Sequence, residues 1–310
     1  MSKYHKELKL AIDLVKNAVE ITEWFRSKGY KSYIKDDQSP VTLADFASQI
    51  YILSVLKSQF SNDKIIAEEE NLNLIDESAE NFIKQCFNEL DFNNKNNIYE
   101  LIGYRGSSSV RQWTVDPIDG TIGFQKGLSY AVGVGFMVNS TPKVCAIAIP
   151  NYAGKSLAIF SAEHGYGAHV SYDGYNFEPI KVSQKKNLRD ICLCLSLHYN
   201  KPWVTKFARE IGISNFIQID SMAKFAMVAD GSADLYIKPL DEEYSFTWDF
   251  LPGDLIVREA GGQVSDLIGT PIKFKGKKCM WNKPGIISSN GLIHEKIIKK
   301  IAEQLSTLSK

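Results

Sequence analysis

The sequence predicts an α+β lobe followed by an α/β lobe. Between residues 130 and 171, apolar runs rich in β-branched residues are separated by turn formers, which is typical of an antiparallel meander. From about residue 188 onward, apolar strand patterns alternate with helical ones, which is typical of an α/β unit. We therefore expect an N-terminal α+β lobe over residues 1–185 and a C-terminal α/β lobe over residues 186–310.

The first lobe begins with two predicted helices. Apolar positions recur at helical spacing over residues 4–27, which predicts one amphipathic helix that packs on the core. Thr42 and Asp45 have the spacing of a capping box and precede an apolar run that reaches Phe60. A second helix should therefore begin there. A short apolar strand is predicted at residues 64–67.

The elements of the second lobe follow from the same periodicities. Strands are predicted where short apolar runs lie between turn formers, and helices where apolar residues recur three and four positions apart. The predicted strands are residues 191–197, 216–219, 234–238, 263–267 and 285–289, and the predicted helices are residues 201–211, 221–230, 251–260 and 291–306.

Composition narrows the class of protein. The hydrophobic content of 44% can supply a large core, and 36 basic residues balance 36 acidic ones, which argues against a nucleic-acid polymer as partner. No run approaches the roughly 18 apolar residues of a membrane span, and the charged N-terminus has no signal-peptide pattern. Five cysteines without CxxC spacing are typical of reduced thiols. We expect a cytoplasmic monomer that acts on a small molecule.

Acidic residues after a short apolar run give the strongest chemical signal. The segment Gln112–Val115 predicts a strand that ends in acid and then turns. Asp116 and Asp119, three residues apart on that turn, would make a pocket of negative charge of the kind that Mg²⁺ prefers. The backbone carbonyl of Ile118 could serve as a further ligand. Gly120 would allow the backbone to approach a phosphate closely.

Each acid also has a purely structural interpretation. Asp-Pro-Ile-Asp-Gly is ordinary turn chemistry, and Asp45 is explained by its place in the capping box. The run Glu68-Glu69-Glu70 is typical of a solvated strand end. Local evidence alone leaves these alternatives open.

The motif Asp116-Pro-Ile-Asp119-Gly-Thr121 resembles the signature of the inositol monophosphatase superfamily, which are lithium-sensitive, magnesium-dependent phosphomonoesterases. That resemblance implies a layered αβαβα sandwich whose two lobes share one metal site. Members of the superfamily hold their metals and attacking water with an acid at a helix start, a Glu after a strand, the two acids of the motif and an Asp in a Trp-Asp pair. The matching residues occur in this order: Asp45, Glu68, Asp116, Asp119 and Asp249.

Further motifs look like the 3′(2′),5′-bisphosphate nucleotidases of that superfamily. They are Ser39-Pro-Val-Thr42-x-Ala-Asp45, Glu68-Glu69 and Asp220-Ser221-x-x-Lys224. The resemblance implies hydrolysis of 3′-phosphoadenosine 5′-phosphate to AMP and phosphate, and it also allows the 5′-phosphosulfate as substrate. The substrate contacts that it implies come from Gly120, Thr121, His198, Asp220, Ser221, Lys224 and Lys238.

The structural alternatives for these substrate contacts are a loop histidine, a helix N-cap and a solvated lysine. The chain departs from the nucleotidase pattern at two positions. Ile122 stands where a lysine is expected, and Lys238 stands where an arginine is frequent. Both departures bear on the identity of the substrate and leave the hydrolytic chemistry intact.

The resemblance also implies a mechanism. Two or three Mg²⁺ ions would be held by Glu68, Asp116, the Ile118 carbonyl, Asp119 and Asp249. Li⁺ would replace one of these ions and inhibit the enzyme. Asp45 and the Thr121 hydroxyl would activate the attacking water. No phosphoenzyme is expected, because no activated nucleophile lies beside the motif.

Three other interpretations remain. The chain could be an inositol phosphatase of the same superfamily or a nucleotide-binding protein without turnover. It could also be a structural domain in which these acids occur by chance.

Overall fold

The computed structural model describes residues 2–36, 38–70, 74–92, 97–240 and 244–308. In the first half, it contains five helices: α1 (His5–Lys28), α2 (Leu43–Gln59), α3 (Glu77–Glu89), α4 (Ile98–Ile102) and α5 (Thr121–Gln125). The predicted amphipathic helix and the capping box that starts the second helix are both confirmed. No helix in the described ranges is long and apolar enough to span a membrane.

A seven-stranded sheet forms the centre of the first half. Its strands follow chain order, and only the first pair is parallel. The predicted meander is confirmed and gains one strand at its far edge. The strands are β3 (Lys64–Ala67), β4 (Arg111–Asp119), β5 (Ala131–Val138), β6 (Thr141–Pro150), β7 (Leu157–Glu163), β8 (Gly167–Ser171) and β9 (Glu178–Ile180).

A five-stranded sheet lies in the second half, in the order β11-β10-β12-β17-β14. Strands β11, β10 and β12 are parallel, as strand–helix alternation predicts, whereas β17 runs antiparallel to both of its neighbours. The elements are β10 (Cys192–Leu195), α6 (Pro202–Glu210), β11 (Asn215–Gln218), α7 (Ala223–Ala229), β12 (Leu235–Pro239), α8 (Thr247–Glu259), β14 (Gln263–Ser265), β17 (Gly285–Ser289) and α9 (His294–Leu308).

Two small antiparallel units were not predicted from the sequence. A hairpin pairs β1 (Ser32–Ile34) with β2 (Pro40–Thr42) ahead of α2. A three-stranded sheet joins β13 (Tyr244–Phe246), β15 (Lys273–Lys275) and β16 (Lys278–Met280) beside the start of α8. Each strand has only three residues, too few to show a clear alternation of polar and apolar side chains.

Three hydrophobic cores, separated by the two sheets, define five layers. Helices α1 and α2 bury Leu14 and Phe46 against one face of the large sheet, where Trp113 is fully buried. Helices α7 and α8 fill the space between the sheets, with Leu251 in that core. Helices α6 and α9 cover the outer face of the small sheet, where Ile297 is buried. The αβαβα sandwich is therefore confirmed. The boundary near residue 185 stays a proposal, although it falls between the strands of the two sheets.

The sequence-based boundaries of strand β4 were wrong. The strand does not end at Val115 but continues through both acids to Asp119. Asp116 pairs with Gly133 and Asp119 with Ala131, so β4 carries one extra residue between these pairs. Such a bulge tolerates Pro117, which has no N–H to donate to a ladder. The two carboxylates therefore lie on a bulged strand end rather than on a turn after the strand.

The predicted start of helix α8 was also wrong. The helix begins at Thr247 rather than at residue 251, which places Asp249 in its first turn. On sequence grounds, Pro252 indicates a helix that begins one residue before it. Proline is common at the first helical position, and inside a helix it removes a hydrogen bond. Burial of Trp248 and Phe250 offsets that loss. A carboxylate in the first turn is also stabilised by the helix dipole.

Candidate active site

One cleft collects the predicted site residues from both halves of the chain. Every residue predicted for the site lines it except Asp45, which lies behind Thr121. The predicted residues along its wall are Glu68, Asp116, Ile118, Asp119, Gly120, Thr121, His198, Asp220, Ser221, Lys224, Lys238 and Asp249.

Asp45 serves the helix start and the cleft at once. Its Oδ2 accepts from the Thr42 amide at 2.8 Å and from the Thr42 hydroxyl at 2.5 Å, which completes the capping box. Its Oδ1 faces the Thr121 hydroxyl at 3.4 Å, and that hydroxyl also lies 3.2 Å from the Ile118 carbonyl. Burial raises the pKa of Asp45 to about 7 against the Thr42 hydrogen bonds. The structural and functional interpretations of Asp45 are thus compatible.

The three glutamates after β3 differ in environment. Glu68 lines the cleft, Glu69 is buried, and only Glu70 has the exposure of a solvated strand end. The ammonium of Lys35, in the β1–β2 hairpin, lies 2.8 Å from Glu68 Oε1 and 2.6 Å from Glu69 Oε1. Burial raises the pKa of Glu69 to about 9, and the charge of Glu68 acts in the same direction. Sequence reasoning missed Lys35, because nothing local links it to acids more than 30 residues away.

Asp116 combines burial with a carboxylate oxygen that no described residue contacts by a hydrogen bond. This oxygen is Oδ1. Burial raises its pKa well above the ordinary value, and the charges of Glu68, Asp119 and Asp249 act in the same direction. A buried carboxylate oxygen without a partner is costly in free energy, so this site favours a positive ligand.

Asp119, on β4, and Asp249, on α8, both lie within the electrostatic influence of Lys238. Asp119 Oδ2 accepts a hydrogen bond from the Met222 amide. Burial raises the pKa of Asp119, whereas Lys224 and Lys238 oppose that rise. Burial raises the pKa of Asp249 to about 7 against the charge of Lys238, with Asp119 adding to the rise. Carboxylates that repel one another in this way are stabilised by a bound cation.

The donor set fits Mg²⁺ in its chemistry. Carboxylate and carbonyl oxygens are the hard ligands that this ion prefers, and Asp116 Oδ1 is available. Within the described ranges, no three His, Cys, Asp or Glu side chains stand in a ready-made ligand cluster. Three of the acids are engaged by other groups, since Lys35 pairs with Glu68, the Met222 amide bonds Asp119 and the Ser245 hydroxyl lies 3.4 Å from Asp249 Oδ2. The fit therefore rests on donor chemistry and the unpartnered oxygen rather than on coordination geometry.

Lys224 is not a solvated lysine. Its side chain is 7% exposed and lines the cleft, with its ammonium 5.5 Å from the centre of the Tyr236 ring. The ammonium forms no hydrogen bond or ion pair with another described residue, whereas the backbone amide of Lys224 donates to the Ser221 carbonyl. Burial lowers the pKa of the ammonium against the charge of Asp119. A buried ammonium without a hydrogen-bonding partner favours an anionic ligand.

The sequence predicted that Asp220 and Ser221 lie at the start of the helix that carries Lys224, and this prediction was wrong. Helix α7 begins only at Ala223, and Ser221 has a left-handed φ of +67°. All three residues nevertheless line the same cleft, and Gly120 packs directly against Ser221, where an added Cβ would come within 3.2 Å of the Ser221 Cβ. Gly120 itself has a φ of +90°, which few other residues adopt.

Asp220 organises the loop that carries His198. Its Oδ1 accepts from the Ser196 hydroxyl at 2.8 Å and the Leu197 amide at 3.0 Å, and its Oδ2 bonds His198 Nδ1. Burial alone would raise the pKa of Asp220, but the hydrogen bonds from His198 and Ser196 hold it below the ordinary value. The N-cap interpretation of Asp220 is therefore wrong.

The two departures from the nucleotidase pattern both lie on the cleft wall. Ile122 lines the cleft, and Lys126 lies one helical turn later with its ammonium 2.9 Å from His198 Nε2. Sequence reasoning missed Lys126, since the contact spans the two halves of the chain. Lys238 lies on β12, 5.1 Å from the Phe250 ring centre, and its charge acts on Asp119 and Asp249.

Comparison with known proteins bears on the interpretation of this cleft. Residues 3–306 match the sequence profile of the inositol monophosphatase family. The chain is 30% identical to a 3′(2′),5′-bisphosphate nucleotidase of Schizosaccharomyces pombe, with 96% of each chain covered. It is 29% identical to 3′,5′-bisphosphate nucleotidase 2 of Arabidopsis thaliana, with 97% of each covered.

The fold is similar to that of a Thermotoga maritima IMPase. The TM-score is 0.71 at 22% identity, and the match covers 97% of this chain and 99% of the other. On the profile match and these relatives, the chain belongs to the inositol monophosphatase family.

Proposed function

We propose that this phosphatase removes the 3′-phosphate of 3′-phosphoadenosine 5′-phosphate and releases AMP and phosphate. One observation carries the proposal: the same cleft holds a buried carboxylate oxygen that has no hydrogen-bond partner among the described residues, on Asp116, and a buried lysine, Lys224, whose ammonium forms no hydrogen bond or ion pair with another described residue. The first favours a cation and the second an anion. A phosphate substrate that binds together with Mg²⁺ satisfies both.

The residues that would hold Mg²⁺ are Glu68, Asp116, the Ile118 carbonyl, Asp119 and Asp249. We assign two or three ions to this set. When bound, Mg²⁺ would neutralise the repulsion among these acids and supply Lewis-acid activation for the reaction. Lithium inhibition belongs to the same proposal.

The chain's own residues then have distinct tasks. The Thr121 hydroxyl and the Asp45 carboxylate, 3.4 Å apart, would orient the attacking water and accept its proton. The water oxygen bonds to phosphorus as the bond from phosphorus to the 3′ oxygen breaks. The backbone amides of Gly120 and Thr121 are assigned to the phosphate oxygens. Because α5 has only five residues, this assignment rests on the two N–H groups rather than on a helix dipole.

The second phosphate is assigned to the part of the cleft that carries its lining lysines. Lys224 and Lys238 supply the positive charge there, with Ser221 beside them. His198 and Asp220 shape the adjoining loop. Relatives that match nearly the full chain are named bisphosphate nucleotidases, which supports a substrate with two phosphates. The 5′-phosphosulfate of the same nucleotide is a further candidate substrate.

We also propose that the enzyme acts as a cytoplasmic monomer. Its five cysteines, all in the described part of the chain, are free thiols, and four of them are buried. That usage is typical of a reducing compartment.

A phosphate-release panel tests the proposed function. The substrates are 3′-phosphoadenosine 5′-phosphate, its 5′-phosphosulfate, inositol 1-phosphate and inositol 1,4-bisphosphate, each with and without Mg²⁺. The proposal predicts Mg²⁺-dependent release that is fastest with the nucleotide bisphosphate and falls in millimolar Li⁺ but not in equal Na⁺. Faster release from either inositol phosphate would instead support an inositol phosphatase, and no release with intact folding would support a binding protein.

A further inference from the structure

The enclosed part of the cleft is small for the ligand that we assign to it. Its volume is about 180 Å³, whereas pockets that enclose a whole drug-sized ligand are typically about 300–1,000 Å³. The buried residues Asp116 and Lys224 mark its interior. A nucleoside bisphosphate bound through its phosphates must therefore extend its base toward the mouth of the cleft.

An exposed aromatic side chain lies at that mouth. Tyr199 lines the cleft and is 65% exposed. In the described part of the chain, its ring makes no aromatic or cation–π contact and its hydroxyl no hydrogen bond. The neighbouring Leu197 is 41% exposed. Single exposed apolar residues are common, so exposure alone identifies no function.

The loop that carries Tyr199 is held rigidly from both sides. Asp220 accepts hydrogen bonds from the Ser196 hydroxyl and the Leu197 amide, and the Tyr199 amide donates to Ser196 Oγ at 3.2 Å. From the other half of the chain, Lys126 bonds His198 Nε2. The loop is therefore preorganised, which reduces the entropy lost when a ligand packs on it.

The same hydrogen bonds limit what His198 can do. Its Nδ1 is hydrogen-bonded to Asp220 and its Nε2 to Lys126, so neither ring nitrogen is available for a hydrogen bond with the edge of a base. The large flat surface at the mouth that remains available is the ring of Tyr199.

We propose that Tyr199 is the platform on which the nucleobase of the substrate stacks. Aromatic side chains bind bases through their faces, largely regardless of base identity. Tyr199 is thereby a specificity-determining residue that distinguishes a nucleotide from an inositol phosphate, which has no flat ring to stack. This inference rests on the proposed function and adds the base to the phosphates that it assigns.

The test compares Tyr199→Ala, Tyr199→Phe and the unmutated enzyme on two substrates. One is 3′-phosphoadenosine 5′-phosphate, and the other is the base-free methyl ribofuranoside 3,5-bisphosphate. Tyr166→Ala is the matched control, because Tyr166 is 58% exposed and lies outside this cleft. Stacking on an aromatic ring is typically worth roughly a fivefold to 150-fold change in affinity. Tyr199→Ala should therefore lower kcat/KM for the nucleotide by that factor, mainly through KM.

Three further results are expected. Tyr199→Phe should retain activity, Tyr166→Ala should change nothing, and the base-free substrate should be cleaved equally well by all variants. If Tyr199→Ala lost kcat/KM equally on both substrates, or lost none on the nucleotide, Tyr199 would not be the stacking platform. Either result would leave the proposed function unaffected. An unmutated enzyme that cleaves inositol 1-phosphate but not the nucleotide would overturn the proposed function and this inference with it.

Discussion

Replacing Lys224 by methionine should change stability and activity in opposite directions. Methionine keeps the apolar stem of lysine and removes the ammonium. That ammonium is buried, and its burial lowers its pKa despite the charge of Asp119, so the charged form is disfavoured in the folded protein. Its removal should raise the free energy of unfolding by about 1 kcal/mol in metal-free buffer, or roughly 2 °C in Tm for a chain of this size.

The same substitution should slow the bisphosphate reaction. A hydrogen bond to a charged group is worth about 1.5–3 kcal/mol, which corresponds to a tenfold to 150-fold loss of kcat/KM for 3′-phosphoadenosine 5′-phosphate. With 3′-AMP, which has no second phosphate, the loss should be much smaller. Phosphate release and thermal unfolding measure the two effects, and Lys206→Met is the control because Lys206 lies on an exposed surface of α6.

The reasoning about Lys224 would be refuted by a stability decrease together with equal losses on both nucleotides. That result would assign Lys224 a structural role. Increased stability without any loss of activity would show that the lysine does not contact the substrate.

Two further predictions concern the buried acids and a buried histidine. Asp116→Asn should lower Mg²⁺-dependent turnover by at least about a hundredfold without loss of stability, because it removes a ligand charge and relieves repulsion from Glu68 and Asp249; wild-type turnover in the purified variant would contradict the metal assignment. His294 is fully buried between the Ser265 and Ser289 hydroxyls, and burial lowers its pKa to about 4. Since the unfolded chain protonates His294 near pH 6.5 and the folded one does not, the contribution of His294 to the free energy of unfolding should fall below pH 6.5 by up to about 3 kcal/mol and level off below pH 4. The buried carboxyls with raised pKa values act in the opposite direction, so the loss is measured as the difference between the wild type and His294→Gln in urea unfolding from pH 7 to pH 4. Equal slopes for the two proteins would refute it.

Local patterns predicted the parts of the site that depend on local structure. The capping box positioned Asp45, and the strand before Glu68 was recognised from its apolar run. The motif around Asp116 and Asp119 was recognised through its resemblance to a known signature, although its backbone is a bulged strand rather than a turn. A bulge depends on pairing with β5, and no short stretch of sequence contains that information.

Contacts between distant residues could not be predicted in the same way. The ion pair of Lys35 with Glu68 and the bond between Lys126 and His198 arise only when separate elements fold together. Likewise, Lys224 has the sequence environment of a surface lysine, and only the packing of α7 between the two sheets buries it. With Lys238, which lines the cleft, these three lysines place positive charge in or beside the acidic cleft.

The central claim is that the cleft binds and hydrolyses a nucleotide with two phosphates. The most direct test is the ratio of kcat/KM for 3′-phosphoadenosine 5′-phosphate to that for 3′-AMP, measured by phosphate release in Mg²⁺ with the unmutated enzyme. If Lys224 and its neighbours bind the second phosphate, the ratio should be roughly ten or more. A ratio near one would contradict the account and leave a phosphatase that recognises a single phosphate.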